Sequence, residues 1–395
     1  KKKKKPWRTE LQPPQSLISS LAGYIWVGLG SPIVSERWQC AHVVRSMVEL
    51  DWAEFLKVLI DWANTDVPLP FIDQELPFYV WHARQWLLIG LARGGLENAS
   101  ALRSSVPFLR FWLREEHVLI RELASQALRT LMVAGELDAN EFDDLDTVNW
   151  PILPEKVFNG WLDPIEDKAF KVDEALSDDE KYYFGMDIGP YWFAPLGRAF
   201  GLSQEAIERR ARHALGEHMG WNGGSRWQED SRLLRRIFGD RETSHAHGSM
   251  PTTDDLCAYH GYHAMMLVAA ALLKEQPVRR QADESIDEFR DWLSSYLLTR
   301  ADGKWLADQR DPRLVKELPS PEGYNDKLWC WSVTADYLDQ MLVTEDSMTV
   351  LKGHWNGGED GYYETVSVGS ALTSRVGAEA LVAALQTAPE LFFFF

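Results

Sequence analysis

Ser35-Glu-Arg37-Trp-Gln-Cys40-Ala-His-Val43-Val44-Arg-Ser-Met47 is the stretch on which the fold turns. Arg37, Cys40, Val43, Val44 and Met47 stand at offsets 0, +3, +6, +7 and +10, the spacing of one face of an α-helix. The same offsets carry Arg121, Ala124, Ala127, Leu128 and Leu131 further along the chain. A copy between them reads Val80, Ala83, Trp86, Leu87 and Gly90, with glycine in place of the last apolar residue. The starts are 43 and 41 residues apart, within the period of HEAT-type repeats. Each such repeat buries its core against its neighbours, and the stack offers one long surface for binding. The pattern therefore predicts a mainly α protein that recognises rather than reacts.

Outward from these copies the helical pattern holds from Gln15 to about Gly135. Ser31-Pro32 reads as a cap followed by proline at the first helical position, and Gly94-Gly95 and Gly135 read as helix ends. Residues 6–136 are thus assigned to HEAT-like helical repeats. Residues 137–181 form an acidic linker or connecting layer, broken by Pro151, Pro154 and Pro164. Residues 182–312 form a second helical region rich in aromatics and histidine, with Ser203 and the pair Thr252/Asp255 as helix starts. Residues 313–391 read as a small α+β module. In it two alternating segments, Ser347–Trp355 and Tyr362–Ala371, flank Asn356-Gly-Gly358 as a hairpin, ahead of a helix over Ser374–Thr387.

The 395 residues carry 18 tryptophans and a formal charge of −18. Without Lys1–Lys5, 36 basic residues face 59 acidic ones, which argues against broad binding of a phosphate backbone. Arg209, Arg210 and Arg212, with Arg232, Arg235 and Arg236, are the dense basic groups and read as solvated helix faces. The runs Lys1–Lys5 and Phe392–Phe395 have no structural logic beside them and are set aside as added ends, which makes the chain a candidate fragment or subunit of a larger assembly. No apolar run approaches the roughly 20 residues of a membrane span, so no membrane partner is expected. Cys40, Cys257 and Cys330 are few and scattered, which argues against a disulfide framework and for a cytoplasmic setting.

Chemistry has one candidate centre. Four of the ten histidines, His245, His247, His260 and His263, fall within 19 residues. The first two share an H-x-H spacing, and the second two lie one helical turn apart. Convergence of three of them on zinc, with one position left for water, would make a hydrolytic site. The competing reading places Asp254 and Asp255 at a helix start and His260 and His263 in a buried polar junction. Glu229 and Asp230 are adjacent on a helix and so point roughly 100° apart, poor geometry for an acid/base pair. Tyr183–Phe193 is either an aromatic binding platform or the packing between two helical layers. No phosphate-binding loop, G-x-S-x-G, H-E-x-x-H or C-x-x-C motif occurs, and no cofactor is assigned.

Four segments carry a resemblance: Ser35-Glu-Arg-Trp-Gln-Cys-Ala-His-Val-Val-Arg45, Tyr259-His-Gly-Tyr-His-Ala-Met-Met266, Gly303-Lys-Trp-Leu-Ala-Asp308 and Ala378-Glu-Ala-Leu-Val-Ala-Ala-Leu-Gln-Thr387. They resemble the helical-repeat regions of large bacterial antiphage-defence NTPases of the STAND type. The resemblance implies a sensor or regulatory region that binds a foreign protein, separate from the nucleotide-binding core. The expected function is a non-catalytic recognition module with a protein partner. A metal-dependent hydrolase or nuclease on the histidine cluster and a scaffold subunit are the alternatives.

Overall fold

Helix after helix forms where apolar residues recur at helical spacing, and the way these helices pack explains the glycines between them. The computed structural model describes residues 12–65, 68–73, 76–138, 145–158, 181–221, 253–281, 287–297, 334–336, 343–345, 348–357 and 364–373. The fold is mainly α. The first helices are α1 (Leu17–Leu29), α2 (Val34–Glu49), α3 (Ala53–Ala63), α4 (Val80–Glu97), α5 (Val106–Leu113) and α6 (Val118–Val133). The three sequence copies fall on α2, α4 and α6.

These three helices lie side by side and run the same way. A Cβ at Gly90 would sit 2.8 Å from Cβ of Val44, and one at Gly94 would sit 2.5 Å from Cβ of Val48. Four residues forward on α4 is four residues forward on α2, so the helices are parallel. Glycine at both positions lets the backbones approach where any side chain would collide. That is the reason the middle copy lacks its last apolar residue. The expected helix end at Gly94-Gly95 is therefore corrected: α4 continues to Glu97, and the glycines serve packing. On the other flank of α4, Trp81 stacks on His117 at 5.2 Å, and a Cβ at Gly95 would lie 3.5 Å from Thr130, so α6 is parallel too. A second layer pairs α1 with α3: Trp62 Nε1 donates to the Ser19 carbonyl (3.0 Å), and Trp26 Nε1 donates to the Thr65 carbonyl (3.3 Å).

The start of α2 also differs from expectation. The helix begins at Val34 rather than Pro32, and the Ser31 hydroxyl instead accepts the Ile33 N–H (3.1 Å) and donates to Glu36 (2.5 Å). Gly135 ends its helix with φ of 73°, as the sequence predicts.

Beyond a short strand β1 (Lys156–Phe158), a π-turn over Gly189–Phe193 leads into α7 (Ala194–Phe200), followed by α8 (Gln204–Met219), α9 (Leu256–Glu275), strand β2 (Arg279–Gln281) and α10 (Glu288–Leu297). β1 and β2 pair in parallel, Lys156 opposite Arg279. Ser203 caps α8 by accepting the Ala206 N–H (3.2 Å), and Asp255 caps α9 by accepting the Ala258 N–H (2.7 Å). Fourteen of eighteen residues of α4 and sixteen of twenty in α9 are buried. Helices buried all round are core elements, and these two form the core of the part of the chain before Leu298. Among the described residues α9 is the one helix long and apolar enough to cross a membrane, and it is enclosed by protein.

The chain divides into two units at Leu298/Thr299 rather than within the acidic stretch, so the expected segments 6–136, 137–181 and 182–312 do not appear as separate bodies. The reason is the packing of α9 on the repeat helices. In the second unit β3 (Val343–Glu345), β4 (Met348–Gly357) and β5 (Glu364–Thr373) form an antiparallel sheet in that order, with Gly357 opposite Glu364. The two strands match the segments read from the sequence, but the expected turn does not: Asn356 and Gly357 pair with Thr365 and Glu364 as part of β4, and β3 is an added edge. The helix expected over 374–387 lies outside the described residues.

Candidate functional site

The polar groups of the first unit gather where α2, α4, α6 and α9 meet. Asp254, next to the cap of α9, is tied to the start of α2 three ways. Its backbone N–H donates to the Pro32 carbonyl (2.8 Å), Thr253 bridges to Ile33, and its carboxylate accepts Nη2 of Arg37 (2.5 Å). Arg37 also donates through Nη1 to the Ser31 carbonyl (2.6 Å) and lies over the Trp86 ring. The pair is buried on both sides, where a lone charge is costly and a matched one is tolerated.

From Asp254 a chain of imidazoles crosses the core. His82 of α4 places Nε2 3.1 Å from Oδ2 of Asp254, with its N–H off the carboxylate axis. His82 Nδ1 and His263 Nε2 are 2.8 Å apart, and His263 Nδ1 and His117 Nε2 are 3.0 Å apart. His117 Nδ1 accepts the Ile120 N–H (3.3 Å), which caps α6. That last contact sets the direction of the rest. An amide N–H can only donate, so Nδ1 of His117 is bare and its Nε2 carries the proton. The same logic passes to His263 and then to His82, which leaves each ring as a neutral Nε2–H tautomer and an N–H on His82 facing Asp254. Three neutral histidines in a one-way chain satisfy one another without a charge among them.

The electrostatics agree with this assignment. Burial holds His82 down to about 4, with Arg37 adding to the effect against the pull of Asp254. Burial, reinforced by Arg121, holds His117 down to about 3, and His263 is held well below the usual range by burial and by the neighbouring histidines. Burial pushes the Asp254 carboxyl up, but Arg37 and His82 outweigh it and bring it down to about 2. Aromatic rings seal the site: Tyr79 and Tyr259 meet at 4.7 Å, the Tyr259 hydroxyl accepts the Trp81 N–H (3.2 Å), and Tyr262 accepts Nε2 of Gln85 (3.3 Å).

Of the four histidines named from the sequence, His245 and His247 lie outside the described residues. His260 and His263 are both buried on α9 but face different partners. His260 Nδ1 pairs with the Tyr182 hydroxyl (2.9 Å), while both ring nitrogens of His263 are used by His82 and His117. In this arrangement the two do not turn toward one ion, and among the described residues no group of three His, Cys, Asp or Glu side chains is placed to hold a metal. Asp254 was visible in the sequence as a helix-start residue. His82 and His117 were not, because they stand 181 and 146 residues from His263 and carry no local motif.

The aromatic stretch Tyr183–Phe193 serves mainly as packing. Phe184, Ile188, Trp192 and Phe193 pack inward, with Trp192 on Tyr262 and Phe184 on Phe193, while Tyr183, Met186 and Tyr191 face outward. The outer face of α1 shows a second apolar group. Leu17 (73% exposed), Leu21 (42%) and Tyr24 (68%) repeat at i, i+4 and i+7 on a helix without a charged residue. Compared with known proteins, the chain matches no family model and no curated sequence.

Proposed function

We propose that this chain is a non-catalytic helical recognition or regulatory module that docks a protein partner on the outer face of α1, as the sensing part or a scaffold subunit of a bacterial antiphage-defence assembly. The observation that carries the reading is the stripe Leu17, Leu21 and Tyr24. A helix at the open side of a layered stack needs a polar outer face to remain soluble alone, and α1 has an apolar one. Tyr24 offers the large, rigid contact area that dominates protein interfaces at small entropic cost. The rest of the repeat surface supports the same choice by elimination. Trp81 and Trp86 on α4 and Tyr79 just before it are buried, Tyr79 and Trp81 against α9, so these aromatics of the central helix serve packing rather than a partner.

The test is site-specific photo-crosslinking in cells, with the crosslinking side chain at position 24 and, as control, at the exposed Phe111 of α5. A discrete adduct is expected at position 24 alone, lost when Leu17 and Leu21 are changed to serine. An adduct pattern equal at both positions, or unaffected by the serine changes, removes the support for α1 as the docking face.

A further inference from the structure

We propose that the Asp254–His82–His263–His117 chain is an acid-opened latch, which holds the first turns of α9 against α2, α4 and α6 at neutral pH and releases them together when the chain takes up protons.

The geometry makes the chain incompatible with added protons. Each imidazole spends its bare Nδ1 as the acceptor for the N–H that precedes it: the Ile120 amide for His117, His117 for His263, and His263 for His82. Protonating any Nδ1 sets one donor against another at about 3 Å and breaks that link. Every ring nitrogen of the chain already faces a partner, so turning a ring to relieve one contact gives up another. The break must be relieved by separating the helices on which the rings stand. Because the links are in series, the loss of one removes the constraint that keeps its neighbour neutral, and the rings are expected to charge together.

The surroundings oppose proton entry while the latch is shut. Arg37 on α2, Arg84 on α4 over the Trp81 ring that stacks on His117, and Arg121 on α6 put three guanidinium groups around the rings. Against them stand Asp254, already paired to Arg37, and Asp255, which serves the cap of α9. His260 on α9, the phenols of Tyr259 and Tyr262, and the phenol of Tyr79, stacked on His82, are the other titratable groups at this face. Proton uptake and opening are thereby the same event.

The direction of the pH effect follows. The unfolded or opened chain takes protons on histidine near 6.5, whereas the closed chain holds its rings neutral down to about 4 for His82 and about 3 for His117. Between those limits the open state binds more protons, so closure weakens as pH falls from about 6.5 toward 4. Asp254 acts lower still: its carboxylate, held to about 2, loses its contribution only as pH falls below its ordinary value toward 2. The latch is therefore lost through its histidines before its carboxylate.

The experiment uses the full chain. At pH 7.5, long-range proton–nitrogen correlation spectra of ¹⁵N-histidine protein should show His82, His117 and His263 as neutral Nε2–H rings, assigned by loss of each signal on replacement. Acid titration read by tryptophan fluorescence, with hydrogen exchange of 253–268, should show one steep opening with uptake of about four protons, three on the chain and one on His260, which burial also holds down to about 4. His117→Asn keeps an acceptor for the Ile120 N–H and takes no proton. In this variant the uptake should fall by about one, so that the opening constant changes about tenfold less per pH unit. A charged or Nδ1–H ring at pH 7.5, or an uptake unchanged in H117N, overturns the proposal. The tautomer spectrum of the wild-type chain decides it even if H117N does not fold.

Discussion

Gly90 shows how a single missing side chain sets the geometry of the stack. A methyl group there would press to 2.8 Å from Val44 Cβ and 3.0 Å from the Ala41 carbonyl oxygen, distances that only backbone movement relieves. Alanine has a helix propensity about 1 kcal/mol better than glycine, which works in the opposite direction. Forced overpacking of a dense core costs about 1–3 kcal/mol, and here a backbone atom stands in the way, so the steric cost wins. G90A is expected to lower the urea midpoint at unchanged slope, with a net loss of about 1 kcal/mol or more. An alanine variant as stable as the parent would show that α2 and α4 sit further apart. The sequence shows this position only as a gap in a pattern. The offsets make Gly90 the weak member of its copy, but nothing local says that the gap is filled by the backbone of another helix.

At the scale of elements, α1 carries two faces with opposite consequences. Trp26, on the inner face, is fully buried and holds the Thr65 carbonyl through its indole N–H. Its truncation to alanine removes a large packed ring and leaves an unmet acceptor, and should cost about 3–5 kcal/mol. Leu17, Leu21 and Tyr24 are exposed, and replacing all three by serine should shift stability by less than about 1 kcal/mol in sum. Parallel thermal melts of W26A and the triple serine variant check both statements. A strongly destabilised triple variant would mean that the stripe is covered within the molecule and is no docking face. The existence of the helices was legible because helical periodicity is a local signal, repeated every three or four residues in α2 and α6. Their ends were less so. Pro32 could start α2, but the chain keeps Ser31 and Pro32 for the Ile33 N–H and for Asp254, and the helix begins two residues later. The candidate site was half legible for the same reason. His260 and His263 announce themselves by spacing on one helix, whereas the partners that define what they do come from α4, α6 and the residues before α7, far off in sequence.

The whole molecule decides which pieces are independent. A break at the acidic stretch would separate α1–α6 from α9, and three kinds of group would then be stranded. Arg37 would lose the carboxylate it is buried with, which typically costs about 3–5 kcal/mol when one partner of a buried pair is removed. His82 and His117 would lose the ring that joins them, and Tyr79, Trp81 and Gln85 would lose the cover of Tyr259, Tyr262 and His263. Set against a net stability of about 5–15 kcal/mol for an ordinary domain, these losses leave little margin. Residues 1–298 keep every one of these contacts, because the division between the two units falls after α10. The fragment 1–298 should therefore unfold in one cooperative transition with fixed near-ultraviolet dichroism from its tryptophans. The fragment 1–136 should retain helical far-ultraviolet signal but lose the near-ultraviolet bands and the sharp transition, as expected when secondary structure outlives specific packing. A shorter fragment that melts sharply within a few degrees of the longer one would mean that the repeat helices close their own core and that α9 is laid over a finished surface. The buried Arg37–Asp254 pair argues for the other outcome, since a self-sufficient repeat layer has no physical reason to leave a guanidinium inside itself waiting for a carboxylate 217 residues away.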